Sequence, residues 1–253
     1  MSPPPRLFVE ADLVAGGTVS FAEEHTNYLT RVLRKDRGDF VRVFNGRDGE
    51  WEGALTAVGR RNADIELLRQ IRPQVGVPDV WLLFAPLKKA RTDFVIEKAT
   101  ELGVARILPV MTERTQSERV RADRLRAIAI EAAEQTERVD VPEIEDGEAL
   151  AKVLDGWDPG RRLVFADEAL AGVADAAALA RLTALEPGPC ALLIGPEGGF
   201  TPREQAWLTG LPQTITVSLG PRVLRAETAV IALLTLWQAC QGDLGQATRG
   251  DLG

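Results

Sequence analysis

Histidine occurs once in this chain, at His25, and cysteine twice, at Cys190 and Cys240. With the histidine far from both cysteines, no zinc-type ligand spacing exists, and a histidine-based catalytic triad is poorly supported. The expectation is a protein with no metal. Both cysteines lie in apolar runs and read as small buried hydrophobes in a reducing compartment. No apolar run reaches membrane-spanning length, and the opening Met1-Ser2-Pro3-Pro4-Pro5-Arg6 has neither the basic start nor the apolar core of a secretion signal. These features point to a cytoplasmic protein with no membrane. An overall excess of positive charge is also lacking. The net charge is −7, which argues mildly against nucleic acid, although distribution matters more than the sum.

Locally the balance reverses. From Tyr28 to Arg47 stand Arg31, Arg34, Lys35, Arg37, Arg42 and Arg47 against only Asp36 and Asp39, a basic patch compatible with a phosphate backbone. Lys88, Lys89 and Arg91 form a second, smaller group. The chain divides by rhythm. Up to Gln74 it predicts short strands (Leu7–Val9, Asp39–Asn45, Glu50–Val58, Asp64–Leu68), a tight Gly46-Arg47-Asp48-Gly49 turn and a short helix over Glu23–Leu33, the pattern of a small β-barrel. Arg72 to Pro78 reads as a linker. Beyond it strands alternate with helices, which implies a mostly parallel sheet covered on both faces. The domains expected are thus 1–74 and 75–253. The last helix, Arg225 to Gln241, is apolar nearly all round, so either the core or a partner subunit covers its second side. The second Gly-Asp-Leu-Gly, at Gly250, reads as an ordinary flexible end.

Two stretches near the C-terminus carry chemistry. Ile194-Gly195-Pro196-Glu197-Gly198-Gly199 follows a buried strand. It lacks the Lys-Ser/Thr of a phosphate loop and the G-x-G-x-x-G spacing. It is either a plain turn or a loop whose backbone meets a ligand. Leu219-Gly220-Pro221-Arg222-Val223-Leu224-Arg225-Ala226-Glu227-Thr228 is more telling. Glu227 suits the first turn of a helix, whereas Arg225 there opposes the helix dipole. Arg225 is therefore expected to serve something else, an ion pair with Glu227 or an anion.

Together these two stretches resemble the RsmE family, 16S rRNA uridine-N3 methyltransferases of the SPOUT superfamily. The likeness continues through Asp93-Phe94, Glu97 to Val104, Glu113-Arg114, Glu134-Gln135 with Arg138, Val141-Pro142-Glu143-Ile144, Arg6-Leu7-Phe8 and His25 to Arg34. Glu137 departs from the family pattern, which has a small residue there.

The resemblance implies an α/β protein with an N-terminal PUA-like β-barrel for RNA binding. A C-terminal SPOUT domain with a trefoil knot would follow, for cofactor binding and dimerisation. It implies S-adenosylmethionine as cofactor, held by Ile194, Gly195, Pro196, Glu197, Gly198, Gly199, Leu219, Gly220, Val223, Leu224 and Arg225, with Ala166-Asp167-Glu168 a weaker third loop. The reaction expected is methylation of uridine N3 in 16S rRNA of the small ribosomal subunit, by a homodimer. Arg225 is the candidate cation, and Glu197 and Glu227 are candidates for the proton-accepting carboxylate or for orienting Arg225. Arg6, Arg31, Arg34, Lys35, Lys88 and Lys89 are candidates to grip RNA, whereas His25 is expected to pack or cap. A non-catalytic ribosome-assembly factor and a SPOUT enzyme acting at another rRNA position are the alternatives.

Overall fold

A computed structural model of the protein describes residues 3–116 and 120–244. The tail motif at Gly250 lies outside the described residues. The chain forms two units, one made of residues up to Gly76 with Ala133–Val141, the other of Val77–Ala132 with residues from Pro142 onward.

The first unit contains β1 (Arg6–Phe8), β2 (Thr18–Phe21), α1 (Glu23–Asn27), a π-helical turn over Tyr28–Val32, β3 (Phe40–Phe44), β4 (Glu50–Val58) and β5 (Ala63–Arg72). They form one sheet in the order β1-β3-β4-β5-β2, antiparallel except for β1 beside β3. Residues from both edge strands, Leu7 and Val19 with Phe21, share one core with Val41, Val43, Leu55, Ile65 and Leu67. A sheet curled into a barrel buries its inner face in this way. Gly49 ends the β3–β4 turn at φ +73°, and a Cβ there would lie 2.3 Å from the Arg72 carbonyl oxygen, so only glycine fits.

The return of Ala133–Val141 to this unit is not expected from the sequence, and Arg6 accounts for it. Its Nη1 donates to the carbonyls of Ala133 and Glu134, and its Nη2 to that of Arg138, each at 2.9 Å. Phe8 N–H donates to Glu134 Oε1 at 2.9 Å, and Gly46 N–H to the Val139 carbonyl at 3.1 Å. Within the segment, Glu137 sits at φ +62°. This left-handed conformation favours glycine and explains why the family pattern is small at this position.

The second unit runs β6 (Val80–Phe84), α2 (Lys89–Glu101), β7 (Arg106–Met111), α3 (Ala122–Gln135, whose residues from Ala133 belong to the first unit), β8 (Glu143–Ile144), β9 (Glu148–Ala149) and α4 (Leu150–Asp155). It continues with β10 (Arg162–Ala166), α5 (Ala178–Thr183), β11 (Cys190–Ile194), α6 (Pro202–Gly210), β12 (Thr214–Val217) and α7 (Ala226–Gln241). The strand order is β12-β10-β11-β6-β7-β8, with β9 also beside β7, and every pairing is parallel. β11 is buried at all five residues, as a central strand covered on both faces must be.

After β12 the chain crosses back toward the middle of the sheet. β12 is the edge strand beyond β10, yet α7 packs on β11 and against α2 and α5. The segment between them is tied to the β10–β11 connection. Ala178 N–H donates to the Ser218 carbonyl at 2.9 Å and Gly172 N–H to the Gly220 carbonyl at 3.1 Å. This is the crossing on which the knot implied by the resemblance depends.

Candidate cofactor site and RNA-facing residues

Because β12, β10 and β11 are adjacent and parallel, their carboxyl ends emerge side by side. Ligands bind at this edge of open α/β sheets. Ala166, Ile194 and Val217, with the loops that follow them, line a cleft of about 250 Å³. From the first expected loop it takes Ile194, Gly195, Pro196, Glu197 and Gly199. From the second it takes Leu219, Gly220, Val223, Leu224 and Arg225. Gly198 is the exception. It does not line the cleft, because its carbonyl turns to accept from Arg114 Nη1 at 2.9 Å. Arg114 also reaches the Phe200 carbonyl at 3.4 Å.

The glycines are required by close approach. A Cβ on Gly195 would lie 2.6 Å from the Phe200 ring, which itself stands edge-on to Phe165 at 5.0 Å. Gly199 has φ +65°, and a Cβ there would meet Glu168 Oε1 at 1.9 Å. Just beyond, Thr201 and Glu204 form a capping box at the start of α6. Glu204 is buried and also accepts from Glu113 N–H at 2.9 Å, so the Thr112–Thr115 turn is docked against the glycine loop from outside.

The weaker third loop is a full wall of the cleft. Asp167, Glu168 and Ala171 line it, together with Phe200, Gln205, Arg222, Ala226 and Ala229. Asp167 Oδ1 accepts from Ala169 N–H at 3.0 Å and from Gln205 Nε2 at 3.3 Å. Asp167, Glu168 and Glu197 make one side acidic, and Arg222 and Arg225 bring cations to the other loop.

Arg225 is the N-cap residue of α7, with an extended backbone. It is exposed, and no hydrogen bond or ion pair engages its side chain among the described residues. Of the two alternatives for Arg225, the pair with Glu227 is not formed among the described residues. Glu227 does not line the cleft, and its Oε1 lies 3.6 Å from Arg91 Nε. Arg91 Nη1 lies 3.5 Å from Glu197 Oε1, so one guanidinium on the first turn of α2 sits between the two carboxylates. Glu227 Oε2 is buried without a hydrogen-bond partner among the described residues. The fork of Arg91 reaches two acceptors at once, and the short step from Arg225 to Glu227 along one helix turn does not compete with it.

Lys88 and Lys89 are exposed at the start of α2, where cations oppose the helix dipole. Arg31 and Arg34 are exposed and Lys35 half-buried. Arg6 is not available to RNA. Its side chain is 8% exposed and paired with the fully buried Glu50 at 2.8 Å, besides the three carbonyls already described. His25 packs edge-on against Phe21 at 5.9 Å, and burial pulls its pKa below 6.5. Burial pushes the Cys190 thiol up to about 12, which leaves it inert. Among the described residues no three His, Cys, Asp or Glu side chains are grouped to hold a metal ion. No helix among them is long and apolar enough to cross a membrane.

Comparison with known proteins agrees with this geometry. Residues 76–238 match the RNA methyltransferase domain family, and residues 21–68 match the RNA methyltransferase PUA domain. The chain is 30% identical over 231 residues to ribosomal RNA small subunit methyltransferase E of Rickettsia conorii, covering 90% of this chain and 93% of that one. A crystal structure of ribosomal RNA small subunit methyltransferase E from Neisseria gonorrhoeae bound to S-adenosyl methionine superposes with a TM-score of 0.81. It is 28% identical and covers 95% of this chain and 99% of its own. A Legionella pneumophila methyltransferase in complex with the same cofactor also gives 0.81, at 27% identity, over 96% of this chain and 100% of its own. With a family model matched over residues 76–238 and 30% identity to a named relative over 90% of the chain, the protein belongs to the ribosomal RNA small subunit methyltransferase E family of the SPOUT superfamily.

Proposed function

We propose that this protein uses S-adenosylmethionine to methylate N3 of a uridine in 16S rRNA of the small ribosomal subunit. The observation that carries the reading is the cleft itself, with Arg225 unpaired at its rim and Glu197 in its wall. Its residues fit the cofactor. Two loops offer backbone N–H and C=O groups where glycines allow close approach, and Asp167 and Glu168 of the third suit ribose hydroxyls. When bound there, S-adenosylmethionine supplies an electrophilic sulfonium methyl.

The chain's own residues must then prepare the base. Uridine N3 is blocked in a base pair, so the target has to be unpaired or splayed from its stack. Its N3 proton must leave before the nitrogen can attack, and the negative charge spreads to O2 and O4. Arg225, free of other partners, is placed to stabilise that charge. Glu197 is the carboxylate placed to accept the proton. Glu227, turned away from the cleft, acts as the second anchor of Arg91, which holds Glu197 by its other nitrogen.

The first unit grips RNA through Arg31, Arg34 and Lys35, with Lys88 and Lys89 contributing from the second. The second unit binds the cofactor and dimerises. Support for a homodimer comes from α7, where Ile231 and Leu236 stay half-exposed after α2, α5 and β11 have covered the other apolar side. The substrate places the enzyme in the cytoplasm. Nucleoside mass spectrometry of rRNA from a strain lacking the protein should show loss of N3-methyluridine, and an unchanged level would sink the proposal. Arg225→Ala should lower kcat by about 100-fold or more with RNA affinity retained. Full turnover in that variant would remove Arg225 from the mechanism.

A further inference from the structure

The basic stretch of the first unit carries exposed rings as well as charge. Within the turns that run from Tyr28 to Phe40, Leu29 is fully buried, while Tyr28 is 37%, Val32 66% and Phe40 47% exposed. Arg31, Arg34, Lys35 and Arg37 have no side-chain partner among the described residues. The two acids of the stretch are engaged in its turns. Asp39 Oδ2 accepts from Asp36 N–H at 2.8 Å and Asp36 Oδ1 from Arg37 N–H at 2.7 Å. The backbone here is built in an unusual way. A π-turn closes with Leu33 N–H on the Tyr28 carbonyl at 3.0 Å, a feature that recurs at functional sites. Arg34 is held at φ +54°, and Lys35 N–H folds the turn back onto the Leu29 carbonyl at 2.9 Å. Strain of this kind in a non-glycine residue persists only where the surroundings over-determine it.

We propose that this face binds an unpaired RNA strand, with bases stacked on Tyr28 and Phe40 and phosphates met by Arg31, Arg34, Lys35 and Arg37. The inference rests on reading the protein as an RNA methyltransferase and goes beyond it by naming the form of RNA and the means of recognition. Cations alone would suit a duplex equally well. Exposed rings flanking them in the chain would not, because a duplex hides its base faces, whereas a single strand presents them for stacking. The patch is also cationic on a chain of net charge −7, so self-association of like patches does not explain it.

Tyr28 is the only tyrosine in the chain. Full-length protein labelled with 3-fluorotyrosine therefore gives one fluorine resonance that reports on this face. Titration with short oligouridine should shift or broaden it, and an RNA duplex of equal length should leave it in place. Tyr28→Ala and Phe40→Ala should each weaken oligouridine binding about fivefold or more without changing the salt dependence. Arg31→Ala and Arg34→Ala should each lower the slope of log K against log salt by about 0.7. Equal binding of duplex, or binding indifferent to Tyr28 and Phe40, overturns the proposal, as does preference for polyglutamate over RNA. The two readings separate cleanly. Loss of N3-methyluridine in the deletion strain with no oligouridine effect at Tyr28 refutes only the stacking face. The reverse pattern refutes only the enzymatic assignment.

Discussion

Replacing Arg6 with alanine tests whether this arginine belongs to the RNA surface or to the frame of the first unit. Its side chain donates through Nε to Glu50 Oε1 at 2.8 Å and through its other nitrogens to three carbonyls at 2.9 Å. Its guanidinium carbon stands 4.7 Å from the centre of the Phe44 ring. Glu50 is 0% exposed, and among the described residues its carboxylate keeps only Arg72 as an ion-pair partner once Arg6 is gone. Removing one partner of a buried ion pair costs about 3–5 kcal/mol, because the remaining charge and acceptors cannot reach water. At roughly 4–8 °C per kcal/mol for a unit of this size, the first unit should melt at least about 12 °C lower. The assay is thermal unfolding followed by the signal of that unit, alone and in a cycle with Glu50→Gln. The double variant should lose less than the sum of the singles, since neither then strands a buried charge. RNA affinity of the folded fraction should be unchanged. A variant that melts like the parent but binds RNA weakly would return Arg6 to the RNA-facing group and refute the reasoning.

Gly195→Ala should destabilise by about 1–3 kcal/mol through overpacking against the buried Phe200 and should weaken cofactor binding in calorimetry. Gly210→Ala, where a Cβ meets nothing within 4 Å, is the neutral control, and equal effects in the two would discredit the packing argument. Glu137→Gly should stabilise by about 0.5–1 kcal/mol, because relief of the left-handed backbone, about 1–2 kcal/mol, exceeds the entropy glycine adds to the unfolded chain. The exposed contact of Glu137 with Arg72 at 3.5 Å adds little against it, and denaturant midpoints would show the sign. His25 is the only histidine, and burial holds its folded pKa below 6.5. As the pH falls, the unfolded chain takes up the proton first. Stability should therefore be level above about pH 7 and decline as the pH drops through 6.5, by at most about 1.4 kcal/mol per pH unit. His25→Gln should flatten that decline between pH 7 and 5.5, and an unaltered pH profile would count against it.

Long patterned elements were legible in the sequence almost to the residue. Glu50–Val58, Val80–Phe84, Cys190–Ile194 and Pro202–Gly210 stand where composition and period put them. The short ones were not. β2 is four residues with a simple exposed–buried alternation, and β8 and β9 are two residues each, defined by their neighbours rather than by any pattern of their own. The helix expected over Glu23–Leu33 splits at Asn27 into α1 and a π-turn, a change of hydrogen-bond register that side-chain periodicity does not encode. The first unit's claim on Ala133–Val141 was hidden for another reason. It depends on one arginine near the N-terminus finding three carbonyls far along the chain, and backbone acceptors leave no mark in a sequence.

The cleft shows the same limit in sharper form. Two of its walls were readable because each has its own glycines, but the third, Ala166-Asp167-Glu168, has none and gains its place from strand order. β10 lies between β11 and β12, so the loop leaving it must stand between the other two, although it comes first in the chain. Once that order is known, Phe200 explains Gly195, while the left-handed backbone at φ +65° explains Gly199. The charges rearrange by the same logic. Along the sequence Arg225 and Glu227 are two residues apart and invite pairing. In the fold the first turn of α2 delivers Arg91 to Glu227 and Glu197 together, and this leaves Arg225, like Arg222, without a side-chain partner among the described residues. An unpaired guanidinium beside a glycine-walled cleft is available to a developing negative charge in a way that a salt-bridged one is not. With the Arg225–Glu227 pair unformed, the other alternative, an anion, is the one left for Arg225.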